Sequence, residues 1–203
     1  HALAGELAAE RALAGGLWRT SLFWEDKRDA LISQSDTTSV PGKTISSIQN
    51  VDKIRTKGIE VAVQSTDVGI RGLDVSGSIT YTDSIIERNH RNPAVVGRDQ
   101  PRIPDWRATL VGTYHASDRL SYSLAGRFSG RQWAGLAYTD TNPNVYGTPG
   151  VSSYKVFDAK VVYHVARQWT ASLGVNNIGN YKYYVQPNPY PQRTLFASVK
   201  FDY

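Results

Sequence analysis

Residues 157–176 read FDAKVVYHVARQWTASLGVN. Phe157, Ala159, Val161, Tyr163 and Val165 alternate with Asp158, Lys160, Val162 and His164. After Ala166-Arg167 the alternation resumes, with Trp169, Ala171, Leu173 and Val175 against Thr170, Ser172, Gly174 and Asn176. Successive side chains of a β-strand point to opposite sides, so apolar residues at every second position gather on one face. Two such runs joined by so short a connection predict an antiparallel hairpin. Outward from this stretch the pattern recurs. Leu120, Tyr122, Leu124, Gly126 and Phe128 share one face of a strand, as do Leu195, Ala197, Val199, Phe201 and Tyr203. Upstream, Leu73, Val75, Gly77, Ile79 and Tyr81, and then Trp106, Ala108, Leu110, Gly112 and Tyr114, do the same. The opposite faces are small and polar, rich in Ser, Thr, Gly and Arg.

Nine strands are expected, near 2–11, 17–34, 44–65, 72–87, 103–116, 119–134, 154–165, 168–183 and 193–203. Periodicity alone does not say whether the apolar face meets a protein core, as in a soluble antiparallel sheet, or lipid, as in a membrane barrel. The connections are more informative because they alternate in length. Ala12–Gly16, Thr66–Arg71, Ser117–Asp118 and Ala166–Arg167 are short. Ser35–Lys43, Arg88–Arg102, Gly135–Ser153 and Tyr184–Gln192 are long. Outer-membrane barrels have short periplasmic turns and longer extracellular loops, whereas a β-sandwich has no reason to keep this alternation. Several strands also reach the roughly nine to eleven residues needed to cross a bilayer. Aromatics gather near strand ends at Trp18, Trp106, Tyr163, Trp169, Phe201 and Tyr203, as interfacial girdles require. Aromatic preference for strands in general accounts for part of this.

Composition removes several alternatives. The 203 residues contain no cysteine, which excludes disulfides and thiolate metal sites. No stretch approaches the roughly 18 apolar residues of a membrane helix. The mean hydropathy of −0.39 would suggest a soluble protein, but alternating faces cancel in any window average. The net charge of +5 comes from basic residues spread along the whole chain rather than set in a stripe, so no nucleic-acid partner is expected. His1 to Gly16 is rich in Ala, Leu and Glu, which favour helix. Leu3, Gly5, Leu7 and Ala9 nevertheless alternate with Ala4, Glu6, Ala8 and Glu10, and the downstream pattern decides for a strand.

Four segments carry a family resemblance. They are Asn50-Val51-Asp52-Lys53 with Arg55-Thr56-Lys57-Gly58-Ile59-Glu60, and Pro101-Arg102-Ile103-Pro104-Asp105-Trp106. The others are Val175-Asn176-Asn177-Ile178-Gly179-Asn180-Tyr181 with Tyr183-Tyr184, and the closing Arg193 to Tyr203. In this order and on these strands the chain resembles TonB-dependent outer-membrane receptors. Tyr203 stands where the family commonly ends on Phe. The resemblance spans essentially the whole chain and implies the C-terminal portion, residues 1–203, of a barrel of about 22 strands. It implies a place in the bacterial outer membrane and TonB-energised uptake of a ferric siderophore or similar bulky nutrient. The plug domain, TonB box and signal peptide of the family are not seen in these residues. The implied partners are the plug and remaining barrel strands of the same receptor, TonB through the N-terminal part, and outer-membrane lipid and lipopolysaccharide. The barrel-assembly machinery would read Phe201 and Tyr203 as an assembly signal.

Candidate ligand-binding residues fall in the long connections. Arg88, His90, Arg91 and Arg98 make one loop locally basic, fit to attract an anionic ferric chelate or the phosphates of lipopolysaccharide. The same composition suits an ordinary solvated loop. Tyr138 and Tyr146, with Asn142 and Asn144, and Tyr190 in the last loop, have the make-up of an adaptable binding surface. Arg127, Asp158 and Lys160 on the polar face are expected to pair across the wall or with a plug. No cofactor is implied. His1, His90, His115 and His164 have no close metal-ligand spacing. No Gly-x-Ser-x-Gly elbow or Gly-rich phosphate loop occurs, so no catalytic residue is assigned. The rival readings are a soluble all-β ligand- or glycan-binding module and a small outer-membrane barrel enzyme using a Ser near His115 or His164.

Overall fold

The computed structural model describes residues 1–36, 40–43, 45–136, 142–146, 150–185 and 188–203. Nine strands form one antiparallel sheet: β1 (Ala2–Leu13), β2 (Gly16–Asp36), β3 (Ile45–Ser65), β4 (Leu73–Arg88), β5 (Trp106–Ser117), β6 (Leu120–Ser129), β7 (Tyr154–Ala166), β8 (Trp169–Asn176) and β11 (Thr194–Phe201). They lie side by side in chain order, β1 and β11 being the edges. A two-stranded ribbon, β9 (Tyr184–Val185) with β10 (Asn188–Pro189), sits within the last long connection. A 3-10 turn, Pro93–Val95, sits within the one after β4. The N-terminal stretch is a strand despite its helix-favouring composition. It pairs with β2 along its whole length, from Ala2 opposite Lys27 to Leu13 opposite Gly16. Glu6 and Glu10 both reach Arg19 across that pair, at 2.8 and 3.2 Å.

Three strand ends differ from the sequence expectation. The fifth strand begins at Trp106 rather than near 103. Pro101 and Pro104 have no N–H to give a ladder, and Thr82 N instead donates to the Asp105 carbonyl at 2.8 Å. The sixth ends at Ser129 rather than 134, with Gly130 N donating back to the Trp106 carbonyl. The eighth ends at Asn176 rather than 183, because Asn177 turns to a φ of 53°.

The two faces of the sheet differ chemically along its whole width. One carries Leu3, Leu7, Leu22, Ile59, Ile79, Leu110, Leu124, Val161, Leu173, Leu195 and Val199, all exposed. The other carries cross-strand hydroxyl pairs: Thr56–Ser84 and Ser172–Ser198 at 2.7 Å, and Thr113–Ser123 at 2.9 Å. Thr80 donates to Glu60 at 2.9 Å on the same face. Aromatics border the apolar face at both ends. Trp18, Tyr114, Tyr122, Tyr163, Trp169 and Phe201 stand toward the short turns, and Trp24, Tyr81, Trp106, Phe128 and Phe157 toward the long loops. Neighbours within each border touch, with Trp169 on Phe201 at 4.8 Å and Tyr81 on Trp106 at 4.9 Å between centroids. Beyond the second border the apolar face turns ionic. Lys57 pairs with Asp83 (3.2 Å), Lys53 with Glu87 (2.7 Å) and Asp26 (3.2 Å), and Arg55 with Glu87.

Glycines seat the largest rings of the polar face. Phe23 lies over Gly58 and Phe196 over Gly174, where an added Cβ would fall 2.3 and 2.1 Å from the ring. Aromatic cover of a strand glycine recovers packing that the missing side chain forgoes. Gly174→Ala is therefore expected to expel the Phe196 ring and cost about 1–3 kcal/mol, the usual range for overpacking. The double change Gly174→Ala with Phe196→Ala should recover part of that loss in an unfolding titration. A single change as stable as the parent would show that the ring is not seated.

Candidate functional site

At the long-loop end the polar face is not open wall. β2 carries Arg19, Ser21, Phe23, Glu25 and Lys27 on this face. Asp29 then adopts a φ of 55°, and beyond it Ala30, Ile32 and Gln34 turn to the covered side while Leu31 is left exposed. The shift lets Ala30 and Ile32 pack on a small core of Val51, Ile54, Ile86, Val95 and Leu136. Val95 comes from the 3-10 turn and Leu136 from the connection after β6, so two loops fold inward over the wall. Polar contacts fix them. Asn89 donates to Gln34 at 2.5 Å, and Gln34 donates to the Asn50 carbonyl at 3.2 Å, with both side chains buried. Arg98 donates to the Leu136 carbonyl at 2.7 Å. Between these loops lies a cleft of about 360 Å³ lined by Ser33, Gln34, Ser46, Asn92, Arg98 and neighbours.

A second cluster stands over β7 and β8. Tyr183 stacks on Tyr190 (centroids 4.4 Å apart, 17° between planes) and touches Tyr154 at 4.6 Å and Tyr181 at 6.4 Å. Tyr146 lies 6.5 Å from Tyr184. Beneath them Arg127 and Asp158 pair at 3.0 Å, as the sequence leads one to expect. Burial pushes the Tyr183 hydroxyl above the ordinary tyrosine range, and the nearby Arg127 charge offsets part of that. Asn177 holds the loop that carries the cluster. Its side chain accepts from Tyr181 N (2.7 Å) and donates to the Tyr181 carbonyl (2.8 Å), while its own N–H donates to Asp158 (2.7 Å).

The sequence-nominated residues divide accordingly. Tyr190 belongs to the aromatic cluster and Tyr146 stands at its edge, largely exposed. Tyr138 lies outside the described residues. Arg98 lines the cleft, Arg88 is exposed at the end of β4, and Arg91 is half-buried. His90 is not simply solvated: its ring and backbone N–H both contact Asp52, at 2.6 and 2.7 Å. His115 and His164 lie at the short-turn end, far from this site. His115 meets Ser121 (3.0 Å) and Asp74 (3.1 Å), and His164 meets Thr170 (3.0 Å). Phe201 packs on Trp169, whereas Tyr203 lies beyond the end of β11 and is fully exposed. Sequence reading missed Tyr154 and the Gln34–Asn89 pair. Tyr183 it met only as part of a motif, where two adjacent tyrosines beside an Asn-rich turn are the signal.

Comparison with known proteins bears on this geometry. Residues 6–178 match the family model described as TonB dependent receptor-like, beta-barrel. The probable TonB-dependent siderophore receptor PiuA of Acinetobacter baumannii is 26% identical over a 145-residue alignment that takes in 63% of this chain and 18% of the relative. The crystal structure of PiuA superposes on 100% of this chain with a TM-score of 0.79 at 20% identity, using 28% of its own length. The ferric citrate transporter FecA matches 98% of the chain at a TM-score of 0.78 and 19% identity, and the copper transporter OprC all of it at 0.71 and 19%. Each of the latter two is covered over 31% of its length, so the chain spans less than a third of the relatives it resembles. All three share its antiparallel barrel wall. Their names cover different cargoes, so the fold by itself does not carry one over.

Proposed function

Because the chain belongs to the TonB-dependent receptor-like β-barrel family, we propose that it forms barrel wall and extracellular loops of an outer-membrane receptor that imports a ferric siderophore or a similar bulky chelate. The apolar face then meets lipid, the polar face meets the lumen and the plug, and the long loops face outward. The observation that carries this reading is the exposed apolar face bordered by two aromatic rows. Trp106 and Tyr114 stand eight residues apart on β5, about 27 Å along a strand. At the roughly 40° tilt of such strands this spans about 21 Å across the membrane, close to the roughly 25 Å apolar band of these barrels. TonB would supply the energy through the N-terminal part of the receptor. Phe201 and Tyr203 would serve the assembly machinery.

The ligand surface is proposed to be the aromatic cluster together with the cleft beside Arg98. Arg88 and Arg91 add positive charge around it, His90 stands beside them, and Tyr138, Tyr146 and Tyr190 add aromatic surface. Stacked tyrosines offer rigid contact area at low entropy cost, and the arginines favour an anionic chelate. Replacing Tyr190 by Ala is expected to weaken binding of the cognate ferric chelate about five- to tenfold, since an aromatic pair contributes roughly 0.5–1.5 kcal/mol beyond its area. The check is iron-limited growth of a receptor-deficient strain expressing parent or variant, on a panel of ferric siderophores. A parent that rescues growth on none of them would sink the siderophore reading. A variant that matches the parent at limiting ligand would remove the aromatic cluster from the site.

A further inference from the structure

Resting on the ligand surface proposed above, we infer that Asn144 is a specificity-determining residue, whose side-chain oxygen accepts a hydrogen bond from an amide N–H of the bound ferric chelate. Among the described side chains, two bury an oxygen that has no hydrogen-bond partner, Gln49 Oε1 and Asn144 Oδ1. Gln49 lies within β3, opposite Ile32, on ordinary extended backbone. Asn144 lies in the connection after β6 and also holds a φ of 68°. A buried carbonyl oxygen without a donor is destabilising. So is the left-handed region for a residue other than glycine. Both features fall on this one residue. They persist only where the surroundings impose them, and they gather at ligand sites.

The surroundings of Asn144 are specific. Asn142, itself buried, closes a turn around it. Asn142 Oδ1 accepts from Val145 N at 2.9 Å, and its Nδ2 donates to the Val145 carbonyl at 3.2 Å. Asn144 Nδ2 donates to the Tyr181 hydroxyl at 2.9 Å. Tyr181 touches Tyr183, which stacks on Tyr190. The unfilled oxygen therefore belongs to a residue that already grips the tyrosine cluster. Val145 and Tyr146, next in the turn, are largely exposed, so a small shift of the turn as a unit uncovers the oxygen. A carbonyl oxygen only accepts, so the missing partner is a donor. The iron-binding oxygens of a chelate are themselves acceptors. Secondary amides that link its metal-binding arms supply the N–H, which makes the ligand an amide-linked ferric chelate.

The receptor containing this chain is titrated with a linear ferric trihydroxamate whose arms are joined by secondary amides, and with the same chelate N-methylated at those amides. Quenching of tryptophan fluorescence reads the affinity. The parent should bind the first about five- to tenfold more tightly, the worth of one hydrogen bond. Asn144→Gly should bind both alike. Asn144→Asp keeps an acceptor oxygen and tolerates a positive φ, so it should keep the preference. Hydrogen exchange at the Val145 amide separates binding from folding. Glycine takes the positive φ freely, so exchange in Asn144→Gly should stay within about twofold of the parent. Much faster exchange there would make Asn144 a structural residue and overturn the assignment. A parent without the preference, a glycine variant that keeps it or an aspartate variant that loses it would overturn it too. So would tight binding confined to ferric citrate, which has no amide. A parent that binds no ferric chelate would instead overturn the ligand reading on which the assignment rests.

Discussion

Replacing Leu173 by Arg is expected to cost about 2–4 kcal/mol, whereas replacing its neighbour Ser172 by Arg is expected to cost less than about 1 kcal/mol. Leu173 is 61% exposed, and in water an exposed leucine tolerates a charge within about 0.5 kcal/mol. In lipid the same substitution takes a guanidinium into hydrocarbon, and at the bilayer midplane of a barrel this costs about 2–4 kcal/mol. Leu173 lies four residues beyond Trp169 in the lower aromatic row and faces Val161 and Ala197, which sets it near mid-height. Ser172 points to the polar face, where it loses only one hydroxyl contact, to Ser198 at 2.7 Å. Urea unfolding of the full-length receptor in phospholipid vesicles reads both. Two near-zero costs would mean that the apolar face meets water. A larger cost at Ser172 would mean that the faces are reversed.

That experiment works because the faces are written in the sequence. Alternation in seven of the nine strands, with short and long connections in turn, makes the sheet order and the two chemistries legible in the sequence. What period two does not encode is where a strand stops. Asn177 ends β8 through its own side-chain hydrogen bonds and a positive φ, and a run of alternating residues on either side conceals this. The loop core was hidden for a related reason. Val95 and Leu136 are single apolar residues in aperiodic segments, and they meet Ile54 and Ile86 only once two loops fold inward. His90 finds Asp52 across 38 residues of chain, a pairing set by the β3–β4 register. The seating of Phe23 on Gly58 likewise needs the register to be known. Candidate residues picked by composition from the long connections, where they fall among the described residues, thus lie together at the long-loop end of the sheet. Their division into an aromatic cluster and a polar cleft was not visible in advance.

Asn177→Ala is the substitution expected to dismantle the aromatic cluster while leaving the barrel wall standing. Asn177 is buried, and its side chain closes the turn through both the N–H and the carbonyl of Tyr181. Alanine leaves those two backbone groups without partners, at about 1–3 kcal/mol for a buried group. It must also hold a φ of 53°, a further cost of about 1 kcal/mol or more for a residue other than glycine. The local loss is on the order of 3 kcal/mol. Asn177→Gly separates the two contributions, because glycine accepts the positive φ freely and retains only the hydrogen-bond loss. The β8–β11 ladder runs from Asn176–Thr194 to Trp169–Phe201 and does not include Asn177, so global unfolding should move little. Hydrogen exchange at the Tyr181 amide should rise by about two orders of magnitude in the alanine variant, and less in the glycine variant. Ligand binding should fall with it, since Tyr181, Tyr183 and Tyr190 are held in register by this turn. Unchanged exchange at Tyr181 would show that Asn177 does not organise the loop. Faster exchange with unchanged ligand affinity would move the binding surface from the tyrosines to the cleft beside Arg98.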